Sequence, residues 1–210
     1  MGDTYKYGKS SIALSREEAG AMFQVRIHGR GGQGVVTAAE LLAVAVFDGG
    51  KHAQAFPSFG SERTGAPVVA YCRISEHEIR AREPIMEPDV LIIQVASLIK
   101  QIDVFAGLKP HGYVIINSTE TAEEMHLAEK IKVPHTLAIL PATELAMTHL
   151  GRPVPNAVLL GAFSAITKVV PLDAVVSAIN EKFKPKIAAG NVAAATAAYE
   201  HVMNQVATHA

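Results

Sequence analysis

The sequence predicts an α/β fold: a Rossmann-like, doubly wound, mostly parallel sheet in a single domain. Three observations predict it. Apolar runs of strand length alternate with longer, Ala-rich runs of helix length. Two of the short runs, D-V-L-I-I-Q and G-Y-V-I-I-N, are almost continuously apolar, as strands covered on both faces are. A glycine-rich turn, G-R-G-G-Q-G at 29–34, separates the first strand-like stretch from the first helix-like one.

The elements follow in order. Residues 1–21 form a polar N-terminal arm without the apolar stretch of a signal peptide. Ser15 and Glu18 have capping-box spacing, which allows a short helix there. Residues 25–28 alternate and form the first strand. Residues 35–47 are too long and Ala-rich for a strand and predict a buried helix, closed by Gly49 and Gly50. A second strand spans 51–56, and a polar loop spans 57–65. Residues 67–75 and 78–82 are expected as strands, a candidate hairpin. Then come a buried strand at 89–94, a helix at 96–106, a strand at 112–117, a charged surface helix at 121–129 and a strand at 135–140. Pro141 is expected at the first position of a helix over 141–150. Helices over 156–169 and 171–183 follow, and after Pro185 a last Ala-rich helix over 186–206. Strands alternating with helices put helices on both faces of the sheet. No linker or repeat divides residues 22–206, which form the one domain.

Composition excludes several classes. The chain has 210 residues, 49% of them hydrophobic and 19% charged, enough for a full core. A net charge of −1 without basic clusters argues against nucleic acid. Aromatics are 6% and Trp is absent, so base-stacking platforms are not expected. No run approaches the roughly 18 apolar residues of a membrane span. Cys72 is the only cysteine, so no intramolecular disulfide forms, which fits a cytoplasmic setting. One thiolate also cannot hold a four-cysteine iron–sulfur cluster. Cys72 lies in an apolar stretch and reads as a small buried hydrophobe. The nine histidines include no i, i+4 pair, and no metal site or catalytic residue is expected on this chain.

Gly29, Arg30, Gly31, Gly32, Gln33 and Gly34 satisfy G-x-G-x-x-G between a strand and a helix. Glycines permit the tight turn and close backbone approach, and a helix N-terminus offers unpaired amides and positive potential to a phosphate. The bland reading is a tight turn with no ligand. An NAD site would also carry an acidic residue after the second strand, but that stretch reads H-A-Q-A-F-P. The loop therefore points to phosphate, and the second strand argues against NAD. The stretch F-P-S-F-G-S-E-R-T-G-A-P at 56–67 leaves the sheet near the same edge. Its Arg63 can clamp a phosphate or carboxylate, or Glu62 and Arg63 can pair with other surface groups in a structural loop.

Together these stretches resemble a known family. The glycine loop followed by V-V-T-A, the stretch F-P-S-F-G-S-E-R-T-G-A-P-V, R-I-S at 73–75, I-R at 79–80, P-D-V at 88–90, and Pro155-Asn156 with Leu160-Gly161 are similar in order and spacing to the gamma subunit of 2-oxoacid:ferredoxin oxidoreductases. The resemblance covers residues 22–206; the arm lies outside it. Ser61 and Thr64 depart from the Pro or Ala and the Arg of many relatives, which removes one positive charge.

The resemblance implies a complex that oxidatively decarboxylates a 2-oxoacid, passes the acyl group to coenzyme A and sends electrons to ferredoxin, or through an NAD-linked flavoprotein to NAD. Alpha, beta and delta-type subunits would carry thiamine diphosphate and the 4Fe-4S clusters. The gamma chain would help bind coenzyme A, assemble the complex and be inactive alone. By position, Gly29, Gly31, Gly32, Gln33 and Gly34 would approach phosphates, and Arg30 would add charge. Ser58, Glu62, Arg63 and Thr64 would line the site or face other subunits. Asn156 would bind ligand or fix the loop. Oxygen-sensitive clusters elsewhere in the complex imply anaerobic metabolism. Two rivals stand beside this reading: a stand-alone nucleotide-binding oxidoreductase, and a purely architectural subunit whose glycine loop holds nothing.

Overall fold

Branched and apolar residues fill the strand-forming stretches, and a computed structural model, which describes residues 22–58 and 65–208, pairs them into one sheet. Its strands are β1 (Phe23–Arg30), β2 (His52–Pro57), β3 (Pro67–Ser75), β4 (Val90–Ile93), β5 (Gly112–Asn117) and β6 (His135–Leu140). Their order across the sheet is β2-β3-β1-β4-β5-β6. β1, β4, β5 and β6 run parallel, and β3 is antiparallel to both of its neighbours.

Alternation along the strands divides the core. Val25, Ile27, Val90, Ile92 and Ile115 face five helices: α1 (Val35–Asp48), α3 (Ala142–Leu150), α4 (Asn156–Thr167), α5 (Leu172–Lys182) and α6 (Pro185–Thr208). Leu91, Ile93, Val114 and Ile116 face the other way, beneath a 3₁₀ helix (Ala96–Lys100), the four-residue α2 (Leu127–Lys130) and irregular chain. The winding is double, but nearly all helical mass lies on one face. None of the helices among the described residues is long and apolar enough to cross a membrane.

Three sequence expectations give way on the lightly covered face. Residues 78–82 form no strand. Arg73, buried in β3, donates instead to the carbonyls of Ala81 and Glu83, so a guanidinium satisfies acceptors that a strand partner would have taken. The helix expected over 96–106 stops at Lys100 as 3₁₀. Arg26 Nη2 claims the carbonyls of Val104 (3.1 Å) and Ala106 (2.5 Å), which are then lost to a helical ladder. Within 121–129, Thr121 and Glu124 exchange the two bonds of a capping box. Yet His126 takes φ 53°, and only Leu127–Lys130 is α-helical. Pro141 precedes α3 as its cap rather than starting it. The short helix allowed at Ser15 and Glu18 lies outside the described residues.

Candidate functional site

The chain leaves β1 through the glycine loop and enters α1 at Gly34, which has a left-handed backbone, φ 72°. Several loop groups are already engaged. Gly31 N donates to Ala66 O at 2.9 Å, and Gly65 N donates to Gly31 O at 3.2 Å. Gln33 N donates to Arg30 O, while Arg30 N donates to Gln33 Oε1 at 3.2 Å. Among the described residues no acceptor takes the amides of Gly32, Gly34, Val35 or Val36. These same residues, with Arg30, Gly31 and Val68, line a shallow cleft of about 200 Å³. The free amides, the helix dipole and a cation converge there, the arrangement that binds phosphate.

Arg30 is held by neutral groups. It donates to Gly65 O (3.0 Å), Ser97 Oγ (3.2 Å) and Gln101 Oε1 (3.0 Å), and no carboxylate among the described residues pairs with it. Among the described residues its charge is left for an anion.

Behind the loop, the carboxyl ends of β1, β4 and β5 carry a polar row. This is the crevice where open α/β sheets bind ligands. Asn117 Nδ2 donates to Gln94 O (2.8 Å) and Thr143 Oγ1 (2.7 Å), and Asn117 Oδ1 accepts from Thr143 N (3.1 Å). Asn156 Oδ1 accepts from Ala157 N at 2.8 Å, and its Nδ2 lies where a Cβ on Gly34 would sit, 2.5 Å away. Only glycine leaves Asn156 that room. A Cβ on Gly29 would meet Val35 Cγ2 at 2.5 Å and Gln94 Oε1 at 2.9 Å.

On the opposite face, Arg26 Nε donates to His28 Nε2 at 3.1 Å, which fixes the imidazole as neutral with its proton on Nδ1. Burial, and then the Arg26 charge, push His28 down to about 3. Cys72 is fully buried, and burial pushes its thiol up to about 12, so it offers no nucleophile.

The structure brings together Gly29, Arg30, Gly31, Gly32, Gln33, Gly34 and Asn156. Gln33 staples the loop through its side chain, and Asn156, 4% exposed, supports it from beneath. Ser58 N donates to Val69 O at the start of the second stretch, whose far end at Gly65 and Ala66 pairs with Gly31. The two stretches therefore meet. Glu62, Arg63 and Thr64 lie outside the described residues. Sequence reading missed Gln94, Asn117, Ser97 and Gln101. For the first two a signal existed: each is a single polar residue ending an apolar parallel strand, on the carboxyl edge where such sheets bind ligands.

Fold and loop define a class: an α/β chain with a phosphate-type cradle and no acidic residue for NAD at the end of its second strand. The model of the pyruvate ferredoxin/flavodoxin oxidoreductase family matches residues 24–201. The chain is 46% identical over 179 residues to the pyruvate synthase subunit PorC of Methanothermobacter marburgensis, covering 85% of this chain and 97% of that one. It is 46% identical over 180 residues to the common gamma subunit of the pyruvate/ketoisovalerate oxidoreductases of Pyrococcus abyssi, covering 85% and 96%. The crystal structure of pyruvate oxidoreductase subunit PORC from Thermotoga maritima superposes with a TM-score of 0.75 at 33% identity, covering 85% and 96%. The 2-oxoglutarate:ferredoxin oxidoreductase of Magnetococcus marinus, at 18% identity and a TM-score of 0.67, shares the fold over 88% of this chain and 31% of its own. The chain belongs to the pyruvate ferredoxin/flavodoxin oxidoreductase family, as a gamma-type subunit of a 2-oxoacid oxidoreductase complex.

Proposed function

We propose that this subunit contributes the phosphate-binding part of a coenzyme A site and helps assemble its complex. The observation that carries the reading is the cleft at the start of α1, lined by Gly32, Gly34, Val35 and Val36, whose amides take no acceptor among the described residues, and by Arg30, which no carboxylate among them neutralises. A diphosphate or ribose phosphate fits those donors. In this reading residues 22–206 act as the gamma domain, residues 1–21 as an arm, and Ser58, Glu62, Arg63 and Thr64 border the cleft or a neighbouring subunit.

The complex would oxidise a 2-oxoacid, with pyruvate favoured by the names of the relatives. The acyl group would pass to the coenzyme A thiol with loss of carbon dioxide, and two electrons would go to ferredoxin or, through a flavoprotein subunit, to NAD. Thiamine diphosphate on an alpha or beta-type subunit would supply the carbanion chemistry. The 4Fe-4S clusters would be held by partner subunits, delta-type among them, because the single cysteine here cannot ligate one. The absence of a long apolar helix among the described residues suits a cytoplasmic complex.

Gly32 gives the test. Its φ is 85°, and a Cβ there meets nothing within 4 Å. Asn and Asp are the side chains that best tolerate this backbone, so Gly32→Asn and Gly32→Asp differ mainly in charge. In the complex purified through a tag on this chain, Gly32→Asp is expected to raise the KM for coenzyme A about tenfold over Gly32→Asn, as a like charge near a phosphate costs on the order of 1–2 kcal/mol. Equal KM values would make the loop structural and the subunit architectural.

A further inference from the structure

Along the polar row behind the glycine loop, Asn117, Thr143 and the Asn156 carbonyl oxygen all have partners. Gln94 is the exception. It is 1% exposed, and among the described residues neither its Nε2 nor its Oε1 has a hydrogen-bond partner. A buried carboxamide with both ends unpaired is costly, and native chains keep few of them. Its position is specific. Gln94 directly follows β4, its main-chain N donates to His28 O of β1 at 2.8 Å, and its side chain lies against Gly29, which Val35 also flanks. β1 and β4 are the adjacent parallel strands from which the chain winds in opposite directions, the switch point of the sheet.

We propose that the Gln94 carboxamide binds the ligand whose phosphate occupies the cleft, taking a neutral hydroxyl or amide group next to that phosphate. This rests on the coenzyme A reading of the loop. The chemistry selects the group. A carboxamide donates and accepts at once, so it matches another donor–acceptor group better than it matches a second phosphate. In coenzyme A such groups flank the phosphates on both sides, as the ribose 2′-hydroxyl and as the hydroxyl and amides of the pantetheine arm. Val35 lines the cleft, Gln94 does not, and both Val35 Cγ2 and Gln94 Oε1 crowd the space beside Gly29, which sets the amide next to the loop but outside the cleft. Reaching it requires the loop to lift. Gly32 (φ 85°) and Gly34 (φ 72°) supply the hinges, since glycine crosses between backbone regions at little steric cost.

An apolar residue of similar size separates this role from a structural one. Gln94→Leu and Gln94→Met remove the unpaired amide, so a purely structural site would leave the complex as stable or more stable and its kinetics unchanged. We expect instead a KM for coenzyme A raised about tenfold, the loss of one ordinary hydrogen bond, with kcat and melting temperature held. Competition by adenosine 3′,5′-bisphosphate or by 4′-phosphopantetheine tells the two sources apart: the competitor that loses potency in Gln94→Leu carries the recognised group. An unchanged KM overturns the proposal. A KM that responds to Gly32→Asp but not to Gln94→Leu sinks only the Gln94 role. Indifference of the wild-type complex to coenzyme A sinks the reading beneath it. Should both variants fail to assemble, cryo-electron microscopy of the wild-type complex with coenzyme A decides. A ligand atom within about 3.2 Å of the Gln94 amide supports the proposal, and an ordered water alone overturns it.

Discussion

His28 is 5% exposed and neutral because Arg26 occupies one ring nitrogen and the core excludes water from the other. Its pKa falls from 6.5 to about 3. In the unfolded chain the imidazole protonates near pH 6.5, while in the folded chain it stays neutral until about pH 3. Between these values the unfolded state binds the extra proton, so folding stability is fully present above pH 6.5 and declines as pH falls toward 3. The slope from this one group is at most about 1.4 kcal/mol per pH unit. Melting of the wild type and His28→Gln from pH 7 to pH 4 is the check. The variant is expected to lose less of its stability across that range, and parallel curves would show that His28 protonates freely. Gln94 poses a related problem, a buried polar group that costs stability in isolation, but its solution is sought in a ligand rather than in a proton.

At the scale of elements, motif residues divide into those that build the site and those that build the fold. In R-I-S, Arg73 lies over the Phe56 ring, 5.0 Å from its centroid, and holds the chain after β3. In P-D-V, Asp89 accepts from Gln24 N (2.8 Å) and Lys109 Nζ (2.9 Å), which aligns β1 with β4. Gly161 in α4 lies against the backbone of Ala195 in α6, where a Cβ would overlap the carbonyl. Gly161→Ala is therefore expected to cost about 1–3 kcal/mol, the usual penalty of overpacking, read as a lowered melting temperature with the KM for coenzyme A unchanged. A shifted KM at full stability would move Gly161 into the site. The strands, the five long helices and the glycine loop were legible because each rests on a local pattern: apolar alternation, Ala-rich runs, or glycines between strand and helix. The strand at 78–82 and the helix at 96–106 were not. Arg73 and Arg26, distant in sequence, take the carbonyls those elements would have used. Gln94 left one sequence signal, a lone polar residue closing an apolar run, but its meaning depends on Gly29 and Val35 beside it, which only the fold brings there.

Across the whole molecule the two faces of the sheet are held by different physics. Five helices cover one face with a continuous apolar core. The other face carries a smaller apolar cluster and is clamped by Arg26, whose guanidinium reaches Ile85 O and Met86 O (both 3.4 Å) as well as Val104 O and Ala106 O. A single buried cation thus ties β1, the source of the glycine loop, to two irregular segments. The 3₁₀ helix after β4 supplies Ser97, and Gln101 caps its end; both accept from Arg30 and orient it. Local opening should therefore begin on this face, where few apolar contacts and little regular backbone resist it. Hydrogen exchange on the intact complex is expected to run faster in peptides from 96–110 than in peptides from α4 and α6. Arg26→Met fills similar space without the donors, so it should speed exchange both in 84–88 and in 103–107, while α4 and α6 keep wild-type rates. Acceleration in only one of the two segments would mean that they are held separately. Unchanged exchange in both would mean that packing, and not the guanidinium, closes this side of the sheet.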